Sequence, residues 1–188
     1  MKTSANIYRL CAIGVLSAMV FVANFFSIPL PFEARIHFGN VFCVLSGLLL
    51  GPVSGGLCAG LGGFFYDLTN PIYAAGAPVT FLMKFVIGFL AGGIVFWGGK
   101  RSSSFTVNLA GAAAGSIAYV AVYLVKNFIE QYFFLRNPME TVTAALIVKG
   151  SSSLVNAVVA VVVSMLLRPV FLAAMRSSGI DEKLARES

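Results

Sequence analysis

Long apolar runs alternate with short polar breaks along the whole chain. The runs fall at residues 8–28, 38–50, 53–67, 79–97, 105–130 and 142–167. Apolar runs near 20 residues cross a bilayer as helices, so the pattern predicts an all-α membrane protein. The expected architecture is a bundle of six transmembrane helices forming one integral membrane domain over residues 1–188. The second and third runs are short. The second opens at His37-Phe38-Gly39-Asn40 and breaks at Gly51-Pro52, and the third is studded with glycine and ends at Tyr66-Asp67. Backbone in hydrocarbon must be helical and proline breaks a helix interior, so Gly51-Pro52 is expected in a turn at a membrane face. Pro29 and Pro31 should end the first run, and Arg168-Pro169 the sixth. The first run is longer than a signal-peptide core and has no small-x-small cleavage site, so it is read as part of the protein.

Composition strengthens this picture: 59% of the 188 residues are hydrophobic and 11% charged, and mean hydropathy is +0.91. The net charge of +6 is scattered over short loops, with no basic face for nucleic acid. It does report orientation. Lys2, Arg9, Lys100, Arg101, Arg168, Arg176, Lys183 and Arg186 fall on the side of the termini, and only Arg35 and Arg136 on the other. By the positive-inside rule both termini are expected to be cytoplasmic. Cys11, Cys43 and Cys58 lie in separate apolar runs without metal-site or redox spacing and read as packing thiols. His37 reads as a solvated loop residue. No metal site or cofactor is expected. A single histidine, scattered carboxylates and the lack of a nucleophile motif argue against an enzyme.

Three lysines remain, Lys84, Lys126 and Lys149, each inside an apolar run. Asp67 and Glu130 fall at the same expected depth. Charge within a bilayer is costly and usually faces a partner or a cavity. Snorkelling to the interface is the competing explanation for each lysine alone. Their neighbours favour a cavity. Tyr119, Tyr123, Lys126 and Glu130 recur on one helical face, as do Lys149, Ser152, Ser153 and Asn156. Residues 157–167 are almost wholly apolar, so the polar stripe stops near mid-membrane and predicts a pocket closed at its base. Glu130 can pair with Lys126 one turn away, and Asp67 with Lys84 across two helices. Lys149 is left without an acid and is the expected contact for an electronegative part of a ligand. On the first helix, Ala12, Gly14 and Ala18 form a small-residue face suited to close approach of another helix.

Several of these stretches resemble the substrate-binding S components of energy-coupling factor (ECF) vitamin transporters. The matching residues are His37-Phe38-Gly39-Asn40, Gly47-Leu48-Leu49-Leu50-Gly51-Pro52, Tyr66-Asp67, and Ala77-Pro78-Val79-Thr80-Phe81 followed by Lys84 and Gly88. Lys149 with Asn156-Ala157 completes the set. The resemblance implies a binder of a vitamin or precursor in a prokaryotic cell membrane. It also implies docking through the Ala12, Gly14, Ala18 face onto a transmembrane T component with two cytoplasmic ATPases. It adds Asn40 to the expected ligand contacts. The alternative is a self-sufficient, ion-coupled secondary carrier of a small polar metabolite, against which stands the lack of internal repeats.

Overall fold

A computed structural model of the chain describes the backbone of residues 2–99 and 101–185 and the side chains of residues 6–99 and 101–184. Lys100 and Arg186, both counted on the basic side, lie outside the described residues, as does the side chain of Lys2.

Helix α1 (Lys2–Phe25) leads into two short strands, β1 (Ser27–Pro29) and β2 (Arg35–His37), paired antiparallel with Ile28 opposite Ile36. The first helix therefore stops before the expected boundary at residue 28, and the expected loop is a small hairpin. Pro29 explains both, because the residue preceding a proline is pushed out of the helical region into extended backbone. Phe32 and Glu33 turn the hairpin with φ of 57° and 59°, while the Leu30 N–H donates to the Ala34 carbonyl at 2.8 Å.

Helices α2 (Gly39–Leu50) and α3 (Pro52–Leu68) meet at Gly51, whose φ of +83° suits glycine. Pro52 then opens α3, where its missing N–H has no helical partner to lose. Helix α4 (Ala77–Val95), helix α5 (Phe105–Ile129) with a π turn at Glu130–Phe134, helix α6 (Met139–Ser177) and the short α7 (Ile180–Ala185) complete the chain. Helix α6 does not end at Arg168-Pro169 but runs through it. Leu172, one turn beyond, packs with Leu45 and Leu49 of α2, and the Arg168 guanidinium donates to the Ser102 carbonyl at 3.0 Å. Those contacts offset the one backbone hydrogen bond that Pro169 removes.

Among the described residues four stretches are long and apolar enough to cross a membrane: Asn6–Phe25, Ala74–Val95, Phe105–Phe134 and Met139–Ser177. Helices α2 and α3 are shorter, with 12 and 17 residues. All of α2 except Phe42 and Leu50 is buried. It is the central helix, wrapped mainly by α1, α3, α4 and α6. A Cβ on Gly88 of α4 would fall on the Gly55 backbone of α3, so these helices approach with no side chain between them. Val20, Val44, Leu48, Ile87, Ala91 and Val95 fill the core between the helices.

The polarity of the molecule is reversed relative to a water-soluble bundle. Leu10, Leu82, Ile117, Val158 and Leu166 are exposed, while Asn24, Asp67, Lys84, Asn127 and Lys149 are buried. An apolar exterior around polar interior groups is what a hydrocarbon solvent favours. The Lys183 ammonium lies 3.8 Å from the Tyr8 ring centroid, so α7 packs on the start of α1 at one end of the bundle. The β1–β2 hairpin closes the other.

Candidate ligand-binding site

A cavity of about 110 Å³ lies at the hairpin end, between β2, α3, α4, α5 and α6. Its lining comes from the hairpin halves of these helices, so it does not continue to the terminal end. Of the residues singled out in the sequence, Asp67, Lys84, Tyr119, Tyr123, Lys126, Glu130, Lys149 and Asn156 all reach it. Asn40 does not. It sits behind Lys84 and accepts from its Nζ at 3.4 Å.

The buried lysines are held by amides. Lys84 Nζ donates to Asn24 Oδ1 at 3.1 Å, and its stem lies against Gly63, where any Cβ would collide with it. Lys149 Nζ donates to Asn127 Oδ1 at 2.6 Å. Both lysines are 4% exposed, too little for their ammonium groups to be snorkelling into water. Neutral amides satisfy hydrogen-bonding capacity without cancelling charge, so these ammonium groups stay available to an electronegative ligand atom. Lys126 behaves differently: it pairs with Glu130 one helical turn away, and both side chains are partly exposed.

The expected pairing of Asp67 with Lys84 is not formed. Asp67 faces Arg35 instead, 4.0 Å from its Nη2. The hairpin carries Arg35 over the end of α3, where its Nη1 donates to the Tyr66 hydroxyl at 2.9 Å and its guanidinium lies 4.2 Å from the Tyr73 ring centroid. Arg35 therefore fastens the hairpin to α3 from one side. Asn156 fastens it to α6 from the other: its Oδ1 accepts the His37 N–H at 2.9 Å and its Nδ2 donates to the Arg35 carbonyl at 2.8 Å. Both ends of the Asn156 amide are spent on backbone, so it holds the roof of the cavity in place.

His37 is not a solvated loop residue. It lines the cavity, and its Nδ1 is buried with no partner among the described residues. Burial, reinforced by the Lys84 and Arg35 charges, pushes its pKa well below the ordinary 6.5, which keeps the imidazole neutral. The Ser153 hydroxyl is buried and unpartnered as well. Unsatisfied buried polar atoms are costly, and two of them on one cavity wall mark where a ligand would be bound. The Tyr119 and Tyr123 rings stack 5.7 Å apart with an interplanar angle of 16° and form an aromatic wall. Tyr119 is buried.

Arg35, His37, Asn24 and Asn127 were not picked out as site residues from the sequence. A polar amide inside an apolar run was the available signal for Asn24 and Asn127. On the opposite face of α1, Gly14 and Ala18 are exposed and Ala12 is half-buried. A Cβ on Gly14 would meet nothing within 4 Å. Among the described residues no group of acidic, histidine and cysteine side chains is placed to hold a metal ion.

The described helices thus enclose a polar, aromatic-walled cavity at the hairpin end of an apolar bundle. A family model described as the S component of ECF-type riboflavin transporters matches residues 4–174, and the chain belongs to that family. It is 29% identical over 125 residues to the riboflavin transporter RibU of Staphylococcus aureus (strain TCH60), covering 64% of this chain and 63% of that protein. It is also 31% identical over 98 residues to a protein of Pyrococcus woesei described as an uncharacterized protein in a gap 3' region, covering 52% of this chain and 62% of that one. The chain thus spans a little under two thirds of the length of these curated relatives. A solved structure titled "Structure and mechanism of the S component of a bacterial ECF transporter" superposes with a TM-score of 0.61 at 22% identity. It covers 89% of this chain and 96% of its own, so the two share a fold.

Proposed function

We propose that this chain is the substrate-binding subunit of an ECF-type importer and that its cargo is riboflavin or a close flavin. The family match over residues 4–174 carries this reading, and the chemistry of the cavity supports it. A flavin offers a flat aromatic ring system to the Tyr119–Tyr123 wall, and carbonyls and hydroxyls to Lys149, Ser153 and His37. Lys84, Lys126, Asp67 and Glu130 complete a lining in which Arg35 and the lysines face three carboxylates, the third being Glu33. Asn40 supports Lys84 from behind. Small-molecule sites usually enclose about 300–1,000 Å³, so a cavity of about 110 Å³ must widen to take a flavin. The hairpin over residues 27–37 is the part that opens.

Helices α1 to α6 cross the prokaryotic cell membrane with both termini in the cytoplasm and the cavity facing outward, as the distribution of arginine and lysine supports. The chain forms one integral membrane unit. The exposed Gly14 and Ala18, with Ala12, then meet a transmembrane T component whose two ATPases drive release. Against a self-coupled carrier, Asp67 and Glu130 already face Arg35 and Lys126. Mass spectrometry of the small molecules that co-purify with the protein tests the reading. A flavin released on denaturation supports it, and a different vitamin, or no ligand together with no binding of added riboflavin, overturns it.

A further inference from the structure

A second cavity, of about 880 Å³, opens at the terminal end, far from the hairpin. Arg9 of α1, Arg101 before α5, and Arg168 and Arg176 of α6 line it, against one carboxylate among the described residues, Asp181. That carboxylate is already engaged twice, by Arg101 Nη2 and by Arg176 Nε at 3.5 Å. Arg101 Nη1 donates to the Leu49 carbonyl at 3.1 Å, and Arg168 donates through one nitrogen to the Ser102 carbonyl. The Nε of Arg168 is buried with no partner among the described residues. Four guanidinium groups converging on one cavity repel one another unless an anion sits among them. Planar, multiply donating arginines match phosphate oxygens in particular. Beside the arginines the wall is apolar, built by Phe96, Leu172 and Leu184.

We propose that this cavity binds an anionic phospholipid, with its phosphate among Arg101, Arg168 and Arg176 and its acyl chain against Phe96 and Leu172. A charged head adjoining an apolar wall at a membrane face is the chemistry of a lipid rather than of a free anion, and basic pockets between helices are established headgroup sites. The inference rests on the helices being embedded in a bilayer. It is independent of what the opposite cavity carries.

The test uses the purified, delipidated full chain, with lipid retention read by native mass spectrometry. Dioleoylphosphatidylglycerol should be retained in preference to dioleoylphosphatidylcholine. Each basic residue near a lipid surface contributes about 1 kcal/mol, or about fivefold in affinity. Arg168→Gln combined with Arg176→Gln should therefore weaken phosphatidylglycerol retention by about 25- to 30-fold. Arg176→Gln alone should cost about fivefold, and its side chain is 67% exposed, so it keeps the test valid if the double variant fails to fold. Equal retention of the two lipids, or a folded variant with undiminished preference, would overturn the proposal. So would displacement of the lipid by low millimolar inorganic phosphate, which would reassign the cavity to a free anion. Riboflavin binding measured on the same samples separates failure of this site from failure of the functional reading.

Discussion

Lys149 on α6 is bound to Asn127 on α5, Nζ to Oδ1 at 2.6 Å, and no described carboxylate shares that contact. A buried ammonium held by a neutral amide keeps most of its charge uncancelled. Such an arrangement stabilises a folded protein little, and under the proposed function it serves a ligand that brings an electronegative atom. The contact also ties α5 to α6 beside the cavity.

The hairpin is predicted to be the opening element, and Asn156 its restraint. Asn156→Ala removes two hydrogen bonds to the backbone of β2, together about 1–3 kcal/mol. Amide hydrogen exchange over residues 27–37 should accelerate by about 5- to 150-fold relative to α2, and ligand dissociation should quicken with it. Unchanged exchange over those residues would mean that the hairpin is held elsewhere.

His37 predicts a pH dependence of stability. Its native pKa lies below its unfolded value near 6.5, so between the two the unfolded chain binds more protons and stability falls as pH drops. Thermal unfolding of the wild-type protein should shift to lower temperature from pH 7 to pH 5. His37→Gln should lose that part of the shift, and an identical pH profile in the variant would contradict the burial of the neutral imidazole.

The face of α1 predicts a separation of binding from transport. Because a side chain at Gly14 meets open space, Gly14→Leu should fold and bind ligand normally. Cellular uptake should fall by tenfold or more if that face docks on a partner helix, since close packing depends on small side chains. Parallel loss of binding and uptake would assign Gly14 to the fold instead.

Much of the bundle was legible because bilayer physics writes it in long runs: α4 and α5 begin and end within a few residues of expectation, and the Gly51-Pro52 turn is where it was read. The buried lysines were legible for the same reason, since a charge inside an apolar run has few explanations. Their partners were not. Asn24 and Asn127 carry no charge to stand out, and Arg35 reaches Asp67 only because a hairpin of three-residue strands folds it over α3. Strands that short leave no alternation to read, and Pro29 and Pro31 mask them as a loop. At Arg168-Pro169 a local breaker was outweighed by the packing of Leu172, which no local pattern contains.

The central claim is that the hairpin-end cavity binds a flavin through Lys149, and titration of riboflavin fluorescence measures it most directly. Purified wild-type protein should quench the flavin saturably as the ring meets Tyr119 and Tyr123. Losing a charge-assisted hydrogen bond in a desolvated site costs about 2–5 kcal/mol, so Lys149→Ala should raise Kd by about 30- to several-thousand-fold. Thermal unfolding of the same samples checks that the variant is folded. A Lys149→Ala protein that is well folded and binds riboflavin with wild-type affinity would contradict the account and place the flavin, if it binds at all, somewhere else.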